Sequence, residues 1–345
     1  MPIKEDLPLG ENNPPGSLVL TSEEMPYGQV VVREVELGDK RIIIEGLSRE
    51  GLVYSGEKKA SEDSGLVLKD SGALQAIIVD GGTQIEPVST LSAMGLSGGR
   101  YIATRVERFA PSLDPSLSAA TNLRILNAEI GKDIKIHHPS VTFAEHSYNT
   151  PYGSIAAARV DVENNILEVA NAGDVFVVVV RKDGKPELLS VDDVYQKDHA
   201  TFTATRRVAD RYGVTFGQAM QQRATDPRFH EIVEEMKETM RQGNVGMIRR
   251  ITGAPNFGVT SSVVIPLDEV KSVFLFTDGG VPPGFSISTT EGLDEFLKLV
   301  NSSGLQGLNE EIQRKLLEDP DYEQFPRFGT VDDLMILKIH LMEQL

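Results

Sequence analysis

Short apolar, β-branched runs separated by turn residues organise most of the chain. Gln29 to Val35 and Lys40 to Glu45 flank Gly38-Asp39 and predict a hairpin. Leu74 to Val79 predicts another strand, which runs straight into Asp80-Gly81-Gly82. The period turns helical from about Thr90 to Phe109 and from Leu117 to Ile130, with a Pro-rich break at 111 to 115. Strands return at Ser154 to Asp161, Ile166 to Asn171 and Val175 to Arg181, set apart by Glu163-Asn164-Asn165 and Asn171-Ala172-Gly173-Asp174. Lys182-Asp183-Gly184-Lys185 closes one more hairpin. Residues 190 to 257 are more polar and carry a helix near Arg228 to Arg241. Ser262 to Pro266, Ser272 to Thr277 and Leu334 to His340 complete the strands, with helices near 291 to 300 and 308 to 317.

Strands that come in hairpin-linked groups disfavour a parallel doubly wound sheet. The pattern predicts an α+β fold: a central antiparallel β-sandwich flanked by helices on both faces, four layers in the order α-β-β-α. Residues 1 to 20, rich in Pro, Gly, Asn and charge, are expected to form a flexible tail. No composition break divides the rest, so 21 to 345 is expected to be a single domain with a flap-like segment near 190 to 257.

Composition narrows the chemistry. The absence of cysteine excludes thiol catalysis, disulfides and cysteine zinc sites. A net charge of −17 argues against nucleic-acid binding, which depends on neutralising phosphates with Lys and Arg. No apolar run is long enough to span a bilayer, and Met1 to Asp6 lack the basic-then-apolar order of a secretory signal, so a cytoplasmic protein is expected. His137 and His138 are adjacent and form no metal-ligand spacing. The basic runs Arg206-Arg207, Arg211 and Arg249-Arg250 read as solvated faces, with contact to an acidic phosphoprotein as the alternative.

Two apolar strands end in near-identical acidic turns, Val79-Asp80-Gly81-Gly82 and Thr277-Asp278-Gly279-Gly280. A carboxylate at a strand's end sits at the rim of a rigid core, and the following Gly lets backbone approach closely. Oxygen donors of this kind suit Mg²⁺ and Mn²⁺. Glu62-Asp63 lies shortly upstream of the first of these strands, and Asp332-Asp333 leads into the last strand of the chain. Each pair on its own also fits an ordinary turn or cap.

Taken in order, these features resemble the protein phosphatase 2C family of metal-dependent phosphatases. The resemblance rests on Lys58 (or Lys59), Glu62-Asp63, Asp80-Gly81, Gly153-Ser154-Ile155, Gly173-Asp174-Val175, Thr277-Asp278-Gly279 and Asp332-Asp333, and runs from about residue 50 to 341. It implies hydrolysis of phosphoserine or phosphothreonine on protein substrates, with two divalent ions, Mn²⁺ or Mg²⁺, bridged by Asp80 and a water. Asp278 and Asp332 would hold one ion, and Glu62 with the Gly81 carbonyl the other. Asp63 would orient metal-bound water, and Lys58 would meet the substrate phosphate. A catalytically weak regulatory module and a phosphohydrolase of a small metabolite are the alternatives.

The chain departs from the family pattern at four places. Lys58 stands where an Arg is usual, so the bidentate fork is missing. Gly82 takes the place of a His that many eukaryotic members carry, leaving water to supply the leaving-group proton. Pro282 replaces an acidic residue four positions after Asp278, which weighs against a third metal site, and Asp174 reads as a turn residue in preference to a ligand. Met335 replaces a Ser or Thr.

Overall fold

The computed structural model describes residues 17–51, 61–82, 91–92, 95–141, 143, 150–191, 195–242, 250–329 and 331–342. Twelve strands lie among them. One sheet has the order β1 (Ser17–Thr21), β4 (Ser64–Lys69), β5 (Ala73–Gly81), β6 (Gly153–Asp161), β7 (Ile166–Ala172), β10 (Ser261–Pro266). The other runs β2 (Val30–Leu37), β3 (Lys40–Arg49), β12 (Leu334–Leu341), β11 (Val270–Phe276), β8 (Phe176–Arg181), β9 (Pro186–Leu188). Every pairing is antiparallel.

The layers follow from period-two alternation. Val67, Leu74, Ala76, Ile78, Ala156 and Ala158 of the first sheet interleave with Ile42, Ile44, Val177, Val273, Leu275 and Leu337 of the second. The opposite face of the first sheet, including Ile77, Val79 and Ile155, is covered by α1 (Gly98–Phe109) and α2 (Ala119–His137) through Tyr101, Ile102, Leu123 and Ile130. The opposite face of the second, including Leu47, Val178, Phe274 and Ile336, is covered by α6 (Thr290–Leu317) through Phe296, Leu297 and Leu308. This is the predicted α-β-β-α sandwich. With both faces covered, β6 is buried along its whole length, as a strand of nearly continuous Ala, Ile and Val requires.

Several elements differ from expectation. Ser17–Thr21, expected within the tail, pairs with β4 as a strand, and residues 1–16 lie outside the described residues. The two helices predicted at 291–300 and 308–317 are continuous except at Gly304, whose φ of +69 breaks the helical path. Between 190 and 257 the structure holds α3 (Tyr195–Tyr212) and α4 (Phe216–Gln222) besides the predicted helix, α5 (His230–Gln242). The buried stripe of α3 is Thr201, Ala204, Thr205, Val208 and Ala209, so small and hydroxylated that it leaves a faint hydropathy period. No described helix is long and apolar enough to cross a membrane.

Candidate active site

The strand alternation that builds the core also aims the acidic residues. Asp80 continues the inward set Leu74, Ala76, Ile78 on β5, and Asp63 the set leading to Val67 on β4. Thr277 follows Val273 and Leu275 beyond β11, and Asp333 precedes Met335 and Leu337 on β12. All four reach the same end of the sandwich, where β5 and β11 finish and β4 and β12 begin.

Hydrogen bonds lock the two sheets together there. Thr277 Oγ1 donates to Asp63 Oδ2 at 2.6 Å and accepts from the Met335 amide at 3.1 Å. Asp333 takes the Gly51 amide on Oδ1 and the Glu62 amide on Oδ2, each at 2.6 Å. Its two oxygens are therefore committed to backbone, and its role is to set the approach to β4. The Glu62 side chain accepts from Ser97 Oγ, the residue that caps α1, and the Glu62 carbonyl accepts the Gly81 amide at 3.1 Å.

Close backbone contacts explain the glycines. A Cβ at Gly81 would come to 2.6 Å from the carbonyls of Glu62 and Gly99. One at Gly279 would overlap the Asp333 carbonyl, and one at Gly82 the ring of Tyr152. Met335 fills inter-sheet space against Gly65, its side chain lying where a Cβ there would point. Pro282 is buried in the turn that follows Asp278, its carbonyl accepting the Phe285 amide.

Electrostatically the site is a cluster of carboxylates with too little positive charge among them. Burial pushes Asp80 well above the usual carboxylate range, and Asp63, Asp174 and Asp332 push it further; a hydrogen bond with Asp278 opposes them. Asp278 is driven up in the same way by burial and by Asp80, Asp332, Asp174 and Asp198. Asp63 is raised by burial and by Asp333, against the pull of Thr277. Asp278 nevertheless keeps exposed surface, as does Asp332, so the cluster is open to solvent on one side.

The structure thus brings Glu62, Asp63, Asp80, Gly81, Asp278 and Asp332 to one place. Lys58 lies outside the described residues. Among the described residues no three His, Asp or Glu side chains already form a metal cage; Glu62, Asp63 and Asp333 accept from protein donors. The donor set still fits a hard divalent cation: it is all oxygen, and its carboxylates resist ionisation together unless a cation joins them. His137 is elsewhere, 3.7 Å from Asp133, and His138 stacks edge-on against Tyr101.

Three participants carry no sequence signal. Arg49, at the end of β3, faces the α6 side with Leu47, donating from Nη1 to Asn309 Oδ1 at 2.7 Å and from Nη2 to the Asp332 carbonyl at 3.0 Å. Asp198 reaches the cluster from α3, and Tyr152 from the start of β6. Only the inward parity of a strand end could have hinted at any of them, and it does so for neither Arg49 nor Asp198.

No protein-family model matches the sequence, and comparison with curated proteins found no match. Solved structures that resemble the chain include the serine/threonine phosphatase Stp1 from Staphylococcus aureus, 12% identical, covering 90% of this chain and 99% of that one at a TM-score of 0.48. The Mycobacterium tuberculosis serine/threonine phosphatase PstP/Ppp is 16% identical, covering 88% and 99% at 0.43. RsbX in complex with magnesium is 11% identical, covering 90% and 100% at 0.43. At these values the likeness leaves the chemistry to be read from the residues.

Proposed function

We propose that the chain is a metal-dependent phosphatase that hydrolyses phosphoserine or phosphothreonine on protein substrates. The observation that carries this is the convergence of Asp63, Asp80, Asp278 and Asp332, from segments spread over 270 positions of sequence, in one charge-frustrated cluster. In this proposal Asp80, Asp278, Asp332, Glu62 and the Gly81 carbonyl would together hold two divalent ions, Mn²⁺ or Mg²⁺. When bound, the ions supply an acidified water and positive charge against the phosphoryl oxygens. The chain's own work is to gather and aim the carboxylates, which a bound cation would keep ionised. Asp63, held by Thr277, accepts from and orients water, and Lys58 meets the substrate phosphate.

In-line attack by water needs no Ser or Cys nucleophile, which suits a chain without cysteine. The test is turnover of a phosphothreonine and phosphoserine peptide panel with Mn²⁺, beside sugar phosphates and nucleotides. Mn²⁺-dependent release of phosphate from the peptides, abolished by EDTA, is expected. Hydrolysis that persists in EDTA would remove the mechanism, and preference for a small metabolite would move the chain to that substrate class.

A further inference from the structure

A phosphomonoester dianion must approach this acidic cluster, and a side-chain cation on its open side would add to the positive charge that bound ions supply. Of the described arginines near the cluster, Arg49 is buried behind it and bonded to carbonyls. Arg100 donates to the Ser61 carbonyl at 2.8 Å. Arg206, Arg207 and Arg211 pair with Glu323 and Glu231 on the flap and the loop it meets. Arg250 sits against Tyr152, the residue before β6.

Its guanidinium lies 4.7 Å from the centroid of the Tyr152 ring and hydrogen-bonds the phenol. That ring packs on Gly82, two residues beyond Asp80, and the Tyr152 carbonyl accepts the Gly82 amide at 3.0 Å. The phenol also feels Asp198 and Asp174, both of which act on Asp278 as well. Arg250 therefore stands at the rim of the cluster, half-buried, on the side where β5 ends.

The chain on its C-terminal side is fixed. Ile251 is fully buried and exchanges both backbone hydrogen bonds with Gly153, at 2.9 and 3.0 Å. Asn127 of α2 accepts the amides of Thr252 and Gly253 and donates to the Ala254 carbonyl at 2.8 Å. Gly253, at φ +78, lets its backbone meet Gly131 of α2, where a Cβ would come to 2.6 Å from the Gly131 Cα. A guanidinium held over a ring, on a chain anchored in this way, loses little freedom when its fork takes two phosphoryl oxygens.

Provided the chain is the phosphatase proposed above, we infer that Arg250, oriented by Tyr152, is a phosphoryl-binding residue that holds the substrate phosphate at the open side of the acidic cluster. The phosphate contact is thus shared between Lys58 and a flap-derived arginine. Tyr152 is a positioning residue.

The experiment compares KM and kcat for a phosphothreonine peptide, and the inhibition constant of inorganic phosphate, in full-length Mn²⁺-loaded protein. Arg250→Ala should raise KM and the phosphate inhibition constant by about 10- to 100-fold, the range of a charge-assisted contact, with kcat changed much less. Arg250→Lys, which keeps charge without the fork, should fall between. Tyr152→Phe, which keeps the ring but loses the phenol hydrogen bond, should raise KM partway, while Tyr152→Leu should follow Arg250→Ala. Mn²⁺ binding by calorimetry should match wild type in all four. Unchanged KM and phosphate inhibition in Arg250→Ala, or a fall in kcat alone, would overturn the inference while leaving the phosphatase. Wild type inert on every phosphopeptide would instead remove the phosphatase reading, and this inference with it.

Discussion

Arg49 grips Asp332 through its backbone: Nη2 donates to the Asp332 carbonyl at 3.0 Å, while an oxygen of the Asp332 carboxylate receives the Asp333 amide at 2.9 Å. The same Nη2 reaches the Gly279 carbonyl at 3.4 Å, one residue from Asp278. Burial pushes the guanidinium down to about 10, against the carboxylates of Asp332, Asp63 and Asp333. One buried cation thus braces both loops that carry the candidate ligands of a single ion.

Arg49→Lys should therefore loosen both loops at once, because an ammonium cannot span acceptors that a planar fork spans. We predict a Mn²⁺ affinity lower by about 10-fold, the lower end of effects at supporting residues. Stability should fall by about 2 kcal/mol from the lost hydrogen bonds to a charged group. Calorimetry and urea denaturation measure the two effects; wild-type values for both would show that Arg49 braces nothing.

Asp278→Asn should remove one negative charge from the cluster and one candidate ligand. Hydrolysis in Mn²⁺ should drop by more than about 100-fold, beyond the range for supporting residues. The circular dichroism spectrum should stay unchanged. Mn²⁺ should raise the melting temperature of the wild type and not that of the variant. A variant that hydrolyses phosphopeptides at wild-type rate would sink the metal assignment.

Gly279→Ala tests the close approach behind Asp278. The added methyl would overlap the Asp333 carbonyl, which is backbone and cannot swing away. Overpacking of this kind costs about 1–3 kcal/mol, and the displaced Asp278 should lower activity along with stability. Thermal denaturation and turnover check it, and a variant as stable and active as wild type counts against the contact.

The loop after α6 offers a pH prediction away from the site. Asp319 is buried, which raises its carboxyl, but amides of Phe325, Gln324 and Glu323 and the Arg327 guanidinium outweigh that and hold it below the usual range. A depressed folded pKa means stabilisation that is present above the unfolded value, about 4, and lost as pH falls through the folded one. Asp319→Asn should cost about 3 kcal/mol at pH 7, with the gap to wild type narrowing as pH falls below the unfolded value, about 4. Urea denaturation across pH measures it; a gap that is constant with pH would refute the linkage.

Much of the site's orientation is legible in the amino-acid pattern. Ile78-Val79-Asp80 and Phe276-Thr277-Asp278 declare strands that end in acid, and counting back by twos puts Asp80 and Thr277 on the inward face. The Gly-Gly that follows each turn marks a close approach, realised at Gly81 against Gly99 and at Gly279 against Asp333. The weak strands at 17–21 and 64–69 are not legible, because their pairing with each other and with β5 defines them more than their own pattern does. Helix α3 hides for the opposite reason, its buried stripe being Thr and Ala.

By itself, then, the sequence determined which residues point inward at strand ends, since alternation is a local steric property of extended backbone. The stacking of the sheets decided the rest. Asp63 meets Thr277 across 214 positions, and Asp333 meets Glu62 across 271, only because two sheets pack face to face with these strand ends aligned. Arg49 and Arg250 entered through helices packed outside the sheets, Arg49 on Asn309 of α6 and the segment after Arg250 on Asn127 of α2. A residue's parity is written in its neighbours two places away, whereas the partner it meets across a packed interface depends on burial summed over the whole core.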